Sequence, residues 1–341
     1  MSQPFRVGVT RDFLKPDGSF GFGDVGLGIL DQAPNIEWEF LPENVRELSS
    51  ALVSGYDALV VLAPRVAAAT LQGNGRLAVV ARFGVGYDSV DVDACTRNGT
   101  LITITPDGVR RPVAAATITL LLALTHKLFQ KDRLAREGRW GDRPDYLGTG
   151  LVGRTFGLIG LGNIGREVFT LAKPFGMRHI AYDPYTDPAR AAELGVELVD
   201  LETLLRTSDF VSICSALTPE TYRLINAERL ALMKPSAYLI NVARGPIVDQ
   251  NALADSLRAN RLQGAAIDVF DEEPTGADHP LFALDNVIVT PHSVCWTDEC
   301  FLWNGQSACQ SIVDVANGKA PKNIVNRAAL DHPRWKGTLT R

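Results

Sequence analysis

The stretch Phe156-Gly157-Leu158-Ile159-Gly160-Leu161-Gly162-Asn163-Ile164-Gly165 spaces its glycines at 160, 162 and 165 as G-x-G-x-x-G. That spacing binds a pyrophosphate when a strand leads into it and a helix leads out. Here an apolar run at 156–159 precedes it and a helical run at 166–174 follows. The glycines permit a tight turn and close backbone approach. The helix N-terminus then offers unsatisfied N–H groups and a positive dipole end. Asp183 ends the next strand, 18 residues after Gly165. A carboxylate there can accept hydrogen bonds from an adenosine ribose and would repel a 2′-phosphate. Pro184, Tyr185 and Thr186 bring no basic side chain to host that phosphate. The chemistry implied is binding of NAD rather than NADP. The alternative is a glycine turn serving only helix–strand packing, with Asp183 a solvated strand end.

Three later residues have types suited to chemistry. Arg244 lies in Asn-Val-Ala-Arg-Gly at 241–245, Glu273 in Asp-Val-Phe-Asp-Glu-Glu-Pro at 268–274, and His292 in Thr-Pro-His-Ser at 290–293. Each follows the C-terminal end of a predicted strand, where ligands bind in open α/β sheets. Taken singly, each also fits a structural role.

These residues need a scaffold, and the pattern supplies one. Short apolar runs at 5–9, 58–62, 77–81 and 101–104 read as strands buried on both faces. A long helix is predicted at about 113–129, followed by a charged, glycine-rich arm at 130–153. From Thr155 a second series begins, with strands at 156–159, 179–182, 210–213, 238–241, 265–269 and 287–289. Helical runs alternate with these strands, as in parallel α/β folds. After Pro291 a helical stretch to about Asn317 precedes a polar tail.

Composition narrows the function classes. The 341 residues suggest two domains. Lys and Arg total 34 against 39 Asp and Glu, a net charge of −5. That balance argues against a nucleic-acid groove, which needs clustered excess cations. The longest nearly apolar stretch, 112–124, is too short to span a bilayer. The N-terminus shows no apolar export signal. Cysteines at 95, 214, 295, 300 and 309 make an odd count without C-x-x-C. They read as reduced cytoplasmic thiols rather than disulfides or a metal site.

Several motifs in order make a family resemblance. They are Arg82-Phe83-Gly84-Val85-Gly86-Tyr87-Asp88, the glycine fingerprint, Leu217-Thr218-Pro219-Glu220-Thr221 and Val242-Ala243-Arg244-Gly245. Asp268-Val269-Phe270 with Glu273-Pro274, and Thr290-Pro291-His292, complete the set. Over essentially its whole length the chain resembles the D-isomer-specific 2-hydroxyacid dehydrogenases. The resemblance implies an NAD-dependent enzyme interconverting a 2-keto acid and a D-2-hydroxy acid. Arg244 would grip the substrate carboxylate and polarise the carbonyl, His292 would exchange the proton, and Glu273 would orient the imidazole and favour its protonated form. Backbone N–H groups near Val85 and Gly86 would hold the carboxylate. Asp268 would accept from the nicotinamide carboxamide. The coenzyme set implied is Gly160, Gly162, Asn163, Ile164, Gly165, Asp183, Thr218, Val242, Arg244, Asp268 and His292. Asp271 and Glu272 read as solvated loop charges.

The resemblance also implies two doubly wound parallel-sheet domains. A Rossmann-type nucleotide domain (109–297) would be inserted in a flavodoxin-like substrate domain (1–108 plus 298–341), with substrate in the cleft and a homodimer in contact through the 130–150 arm and the nucleotide domain. The chain departs from many relatives in Thr105-Pro106-Asp107-Gly108-Val109-Arg110-Arg111, which lacks an Asn and brings an Arg pair into an expected cleft-border loop. It departs again in Val294-Cys295-Trp296, where Ala-Gly is common. Trp296 and Cys295 would either wall the substrate pocket or join the core at a helix start. Glu273 disfavours a formate dehydrogenase, and the chain ends too soon after Asn326 for the regulatory domain of many phosphoglycerate dehydrogenases. Glyoxylate, hydroxypyruvate and longer sugar-derived acids remain open. A nucleotide-sensing binding protein of the same fold, without physiological turnover, is the competing class.

Overall fold

A computed structural model describes residues 3–340. The chain divides into two compact units, Met1–Pro112 with Trp296–Arg341, and Val113–Cys295.

The first unit is built on a five-stranded parallel sheet. Its strands are β1 (Phe5–Val9), β2 (Ile36–Phe40), β3 (Ala58–Val61), β4 (Val79–Arg82) and β5 (Leu101–Thr103), in the order β2-β1-β3-β4-β5. This is the flavodoxin-like order. Alternate residues along the central strands bury on opposite faces, as the period of two requires. Val60 and Ala81 pack with Phe301, Ala308 and Ile312 of the Asp298–Ala316 helix. Leu59, Val61 and Val80 pack on the other face with Val53, Leu71 and Ile102. The polar tail is docked: Trp335 is buried and its indole N–H donates to the Gly99 carbonyl at 2.8 Å.

The second unit holds seven parallel strands: β6 (Thr155–Ile159), β7 (Arg178–Tyr182), β8 (Glu197–Leu198), β9 (Phe210–Ile213), β10 (Tyr238–Asn241), β11 (Gly264–Ile267) and β12 (Val287–Val289). Their order is β12-β11-β10-β9-β6-β7-β8. Reversal between β6 and β9 creates the switch point of a dinucleotide fold. Both faces are covered. Leu239, Ile213 and Ile267 face one apolar cluster, while Tyr238, Ile240 and Ala266 face the other.

Four elements differ from expectation; one is a separate helix, Leu128–Arg136, in place of the end of the long helix and the start of the arm, after Lys127 turns into the left-handed region. β2, Ile-Glu-Trp-Glu-Phe, was not among the expected strands because its apolar residues alternate with glutamates. It is an edge strand with alternating exposure, so no continuous apolar run exists. β8 is a two-residue edge strand, too short to leave a pattern. The long helix runs Pro106–Thr125, beginning seven residues before the expected 113. Pro112 lies inside it, in the second turn, and Pro106 supplies a favoured N-terminal residue. Arg110 and Arg111 therefore lie exposed on this helix, not in a loop. By length and composition the helix could cross a bilayer. Instead Ala114, Ile118, Leu121 and Leu124 pack in the second unit's core.

His179 on β7 is buried and stacks on Phe169 with centroids 4.5 Å apart. Its Nε2 has no hydrogen-bond partner. Burial, helped by the charge of Lys173, holds its pKa below the ordinary histidine value. The unfolded chain thus takes up a proton at a higher pH than the folded one. Stability from His179 is fully present above about pH 6.5 and is lost as pH falls below it. His179→Phe should flatten the fall in Tm between pH 7.5 and 5.5. A slope unchanged from wild type would show that His179 is not the group responsible.

Candidate active site

The glycine loop sits between β6 and the Asn163–Ala172 helix. Gly160 adopts φ +95°, and a Cβ there would lie 2.8 Å from the Ser215 backbone nitrogen. Only glycine fits both demands. Gly162 is the helix N-cap, and a Cβ there would meet nothing within 4 Å. The helix N-terminus therefore opens on free space, as a bound pyrophosphate requires. Ile164 and Val242 pack against the core below the loop, and Asn163 Oδ1 accepts from Arg166 Nη2 at 2.7 Å.

Asp183 follows β7 and organises its surroundings. One carboxylate oxygen accepts from the Leu161 amide at 2.7 Å, inside the glycine loop. The other accepts from the Tyr185 and Thr186 amides at 2.9 and 3.1 Å. It is thus no solvated strand end. A carboxylate has about four acceptor positions, so these bonds leave capacity for a ribose. Thr218 lies on an exposed turn, where its amide donates to Thr221 Oγ1 at 2.7 Å.

Arg244 follows β10 on a turn shaped by Asn241. The buried Asn241 amide donates to the Arg244 carbonyl at 2.9 Å and its oxygen accepts from the Ala243 amide at 3.0 Å. Gly245 lets this turn press on the next loop: a Cβ there would overlap the Phe270 carbonyl group. In the first unit, Val85 and Gly86 are partly exposed on the loop after β4. Thr105 anchors that loop, since its Oγ1 accepts from the Gly84 amide at 2.8 Å.

The loops after β11 and β12 bring the two remaining candidates together. His292 Nδ1 lies 2.7 Å from Glu273 Oε2. The other Glu273 oxygen accepts from the Phe270 amide at 2.8 Å. Burial pushes the Glu273 carboxyl up. The His292 hydrogen bond and charge, the Phe270 amide and the Arg244 charge outweigh it and hold the carboxyl below its ordinary value. His292 sits at φ +52°, an uncommon region for a non-glycine residue. Asp268 holds it there. The Asp268 carbonyl accepts from the His292 amide at 2.7 Å, and its Oδ1 takes Thr290 Oγ1 at 2.6 Å, the Ser293 amide at 3.0 Å and the Val294 amide at 3.2 Å. Burial pushes the Asp268 carboxyl above its ordinary value against these bonds.

Comparisons with known proteins show the family. Residues 118–293 match the model for "D-isomer specific 2-hydroxyacid dehydrogenase, NAD binding domain". A glyoxylate reductase of Thermococcus onnurineus is 38% identical over 314 residues, covering 90% of this chain and 94% of that enzyme. The chain belongs to the D-isomer specific 2-hydroxyacid dehydrogenase family. NAD is its coenzyme, and the second unit is the family's NAD-binding domain. A D-3-phosphoglycerate dehydrogenase of Archaeoglobus fulgidus is also 38% identical, over 82% of this chain and 53% of that enzyme. Among solved structures, a Thermus thermophilus protein superposes with TM-score 0.82 at 34% identity, covering 94% of this chain and 99% of that one. The D-lactate dehydrogenase of Aquifex aeolicus, complexed with NAD and lactic acid, gives TM-score 0.81 at 26% identity and covers 94% of this chain and 99% of that one.

Other residues correct the sequence reading. Asp271 is not simply solvated; it pairs with Arg223 at 2.8 Å. Trp296 is 45% exposed and so is not core; it packs edge-on against Phe22 and Phe301. Sequence reasoning missed Asn241, Thr290 and the structural part played by Asp268. The available signal was a polar residue at the end of an apolar strand, or directly before Pro291.

Thr290→Val removes one donor from the buried Asp268 carboxylate. Hydrogen bonds to charged groups contribute about 1.5–3 kcal/mol. Urea denaturation should register a loss on that scale. A loss below about 0.5 kcal/mol, the size of an ordinary surface change, would show that the Thr290 bond does not hold the loop.

Proposed function

We propose that this family member reduces a 2-keto acid to the D-2-hydroxy acid, and runs the reverse, with Arg244, Glu273 and His292 as its working side chains. The observation that carries the reading is the 2.7 Å His292–Glu273 contact, with Arg244 near enough for its charge to act on the same carboxyl. NADH supplies the hydride. His292 gives a proton from Nε2 to the carbonyl oxygen in reduction and takes one from the hydroxyl in oxidation. Glu273 fixes Nδ1 as the inner nitrogen and balances the imidazolium charge. Arg244 offers a planar pair of donors to the substrate carboxylate. The Val85 and Gly86 amides are the first unit's donors that we assign to the substrate. Asp268 and Thr218 are assigned to the nicotinamide side of the coenzyme, and the glycine loop with Asp183 to its pyrophosphate and ribose.

Relatives named glyoxylate reductase and D-3-phosphoglycerate dehydrogenase make glyoxylate and 3-phosphohydroxypyruvate the first acids to test. We further propose a cytoplasmic homodimer. Five cysteines, none of them in a disulfide, support a reducing compartment. Leu128, Phe129, Trp140, Leu147 and Val152 of the second unit are all more than half exposed, and we assign them to contact with a second copy.

NADH oxidation followed at 340 nm with a panel of 2-keto acids tests the function; tight NADH binding with no turnover on any acid would contradict it. Arg244→Lys keeps the charge and loses the two-pronged donor. It should lower kcat/KM for keto-acid reduction at least tenfold with little change in NADH affinity, a one-hydrogen-bond scale of about 1.4 kcal/mol. Full activity in the lysine variant would remove Arg244 from the substrate. Asp183 should also make NADH at least about tenfold more efficient than NADPH, because like charges repel. Equal kcat/KM with both coenzymes would end that assignment.

A further inference from the structure

We propose that Gln250, itself held by His279, is a positioning residue for the Glu273–His292 pair. The inference rests on the function proposed above and assigns two residues that the chemistry itself does not use. Gln250 begins the Gln250–Arg258 helix and is 3% exposed. Its Nε2 donates to the Val269 carbonyl at 3.0 Å. The Val269 carbonyl and the Phe270 N–H belong to one peptide group. A peptide group is planar, so fixing one end aims the other. The aimed end is the N–H that donates to Glu273 Oε1 at 2.8 Å, while Glu273 Oε2 meets His292 Nδ1 at 2.7 Å. Gln250 thus sets the direction of the carboxylate that orients the acid–base imidazole.

The hydrogen bonds allow one consistent assignment. A carbonyl only accepts, so Gln250 must turn its nitrogen to Val269 and its oxygen to His279. That oxygen lies 3.1 Å from His279 Nε2, which must therefore carry the proton. His279 Nδ1 is left as the acceptor, facing the Leu281 amide at 3.4 Å. This is neutral histidine. Burial favours that form, against Asp271 and Asp278, whose charges act the other way. His279 is clamped by Phe270 and Phe282, with ring centroids 5.2 Å away in both cases. The rings pack the Gln250 support against the residue whose N–H does the aiming.

The charged groups acting on His292 are Glu273 and Asp268, with Arg244 acting on Glu273. The inference concerns only the path through Glu273. The test is the titration midpoint of the His292 imidazole, followed by NMR in protein labelled at histidine and assigned with His292→Gln. It needs no substrate and is read whether or not a keto acid turns over. Gln250→Met keeps the length and removes the donor. Its midpoint should move to lower pH by about half a unit to one unit, the scale of one neutral hydrogen bond. Glu273→Gln should move it further in the same direction. Adding Gln250→Met to Glu273→Gln should then move it no more. Where the enzyme turns over, kcat should fall about three- to tenfold with KM for NADH unchanged. If Gln250→Met does not fold, His279→Leu loosens the same support from its outer end and should shift the midpoint the same way by less. A Gln250→Met midpoint that overlays wild type, or a double variant that shifts by the sum, would overturn the proposal. Absence of keto-acid turnover in wild type strikes the proposed function instead.

Discussion

A charge-assisted hydrogen bond between Glu273 and His292 joins two loops that the chain makes separately, and Asp268 and the Phe270 amide hold the two residues that make it. The loops leave neighbouring parallel strands, β11 and β12, on the same edge of the sheet. Strand pairing brings them near one another but does not orient side chains. Orientation comes from polar groups below. Asp268 accepts the His292 amide with its carbonyl and three further donors with its carboxylate, which holds the imidazole-bearing residue at a backbone angle few side chains adopt. Glu273 is held from the other side by the Phe270 amide.

The coenzyme end obeys the same rule. Asp183 is tied by three backbone amides, one of them within the glycine loop, so the residue assigned to ribose also shapes the turn assigned to pyrophosphate. Preorganisation of this kind is what catalysis requires, because a carboxylate or imidazole free to rotate must be ordered again at each turnover. The sheet supplies position, and buried acceptors supply direction.

Much of this was legible in the residues. Buried strands announce themselves as short apolar runs rich in Val, Leu or Ile, so β1, β3, β6, β9 and β10 appear where the pattern puts them. The glycine fingerprint reads clearly because each glycine answers a local demand of the turn. What escaped was set by tertiary context. β2 carries Glu37 and Glu39 because it lies at an edge, a fact that no local pattern contains. The helix expected from 113 begins at Pro106, because the polar residues before the apolar run also take helical conformation. Gln250 has no signal in sequence, since its importance comes from Val269 and His279, 19 and 29 residues away.

The pairing of Glu273 with His292 is tested most directly by the pH dependence of kcat/KM in both directions, for wild type and Glu273→Gln. Reduction requires a protonated His292 and oxidation a neutral one. The reductive profile should be flat at low pH and fall as pH rises, while the oxidative profile rises over the same window. Glu273→Gln preserves shape and removes the charge that favours the imidazolium, so both transitions should move to lower pH. Variant profiles that overlay the wild type would contradict the pairing of Glu273 with His292 as the acid–base unit.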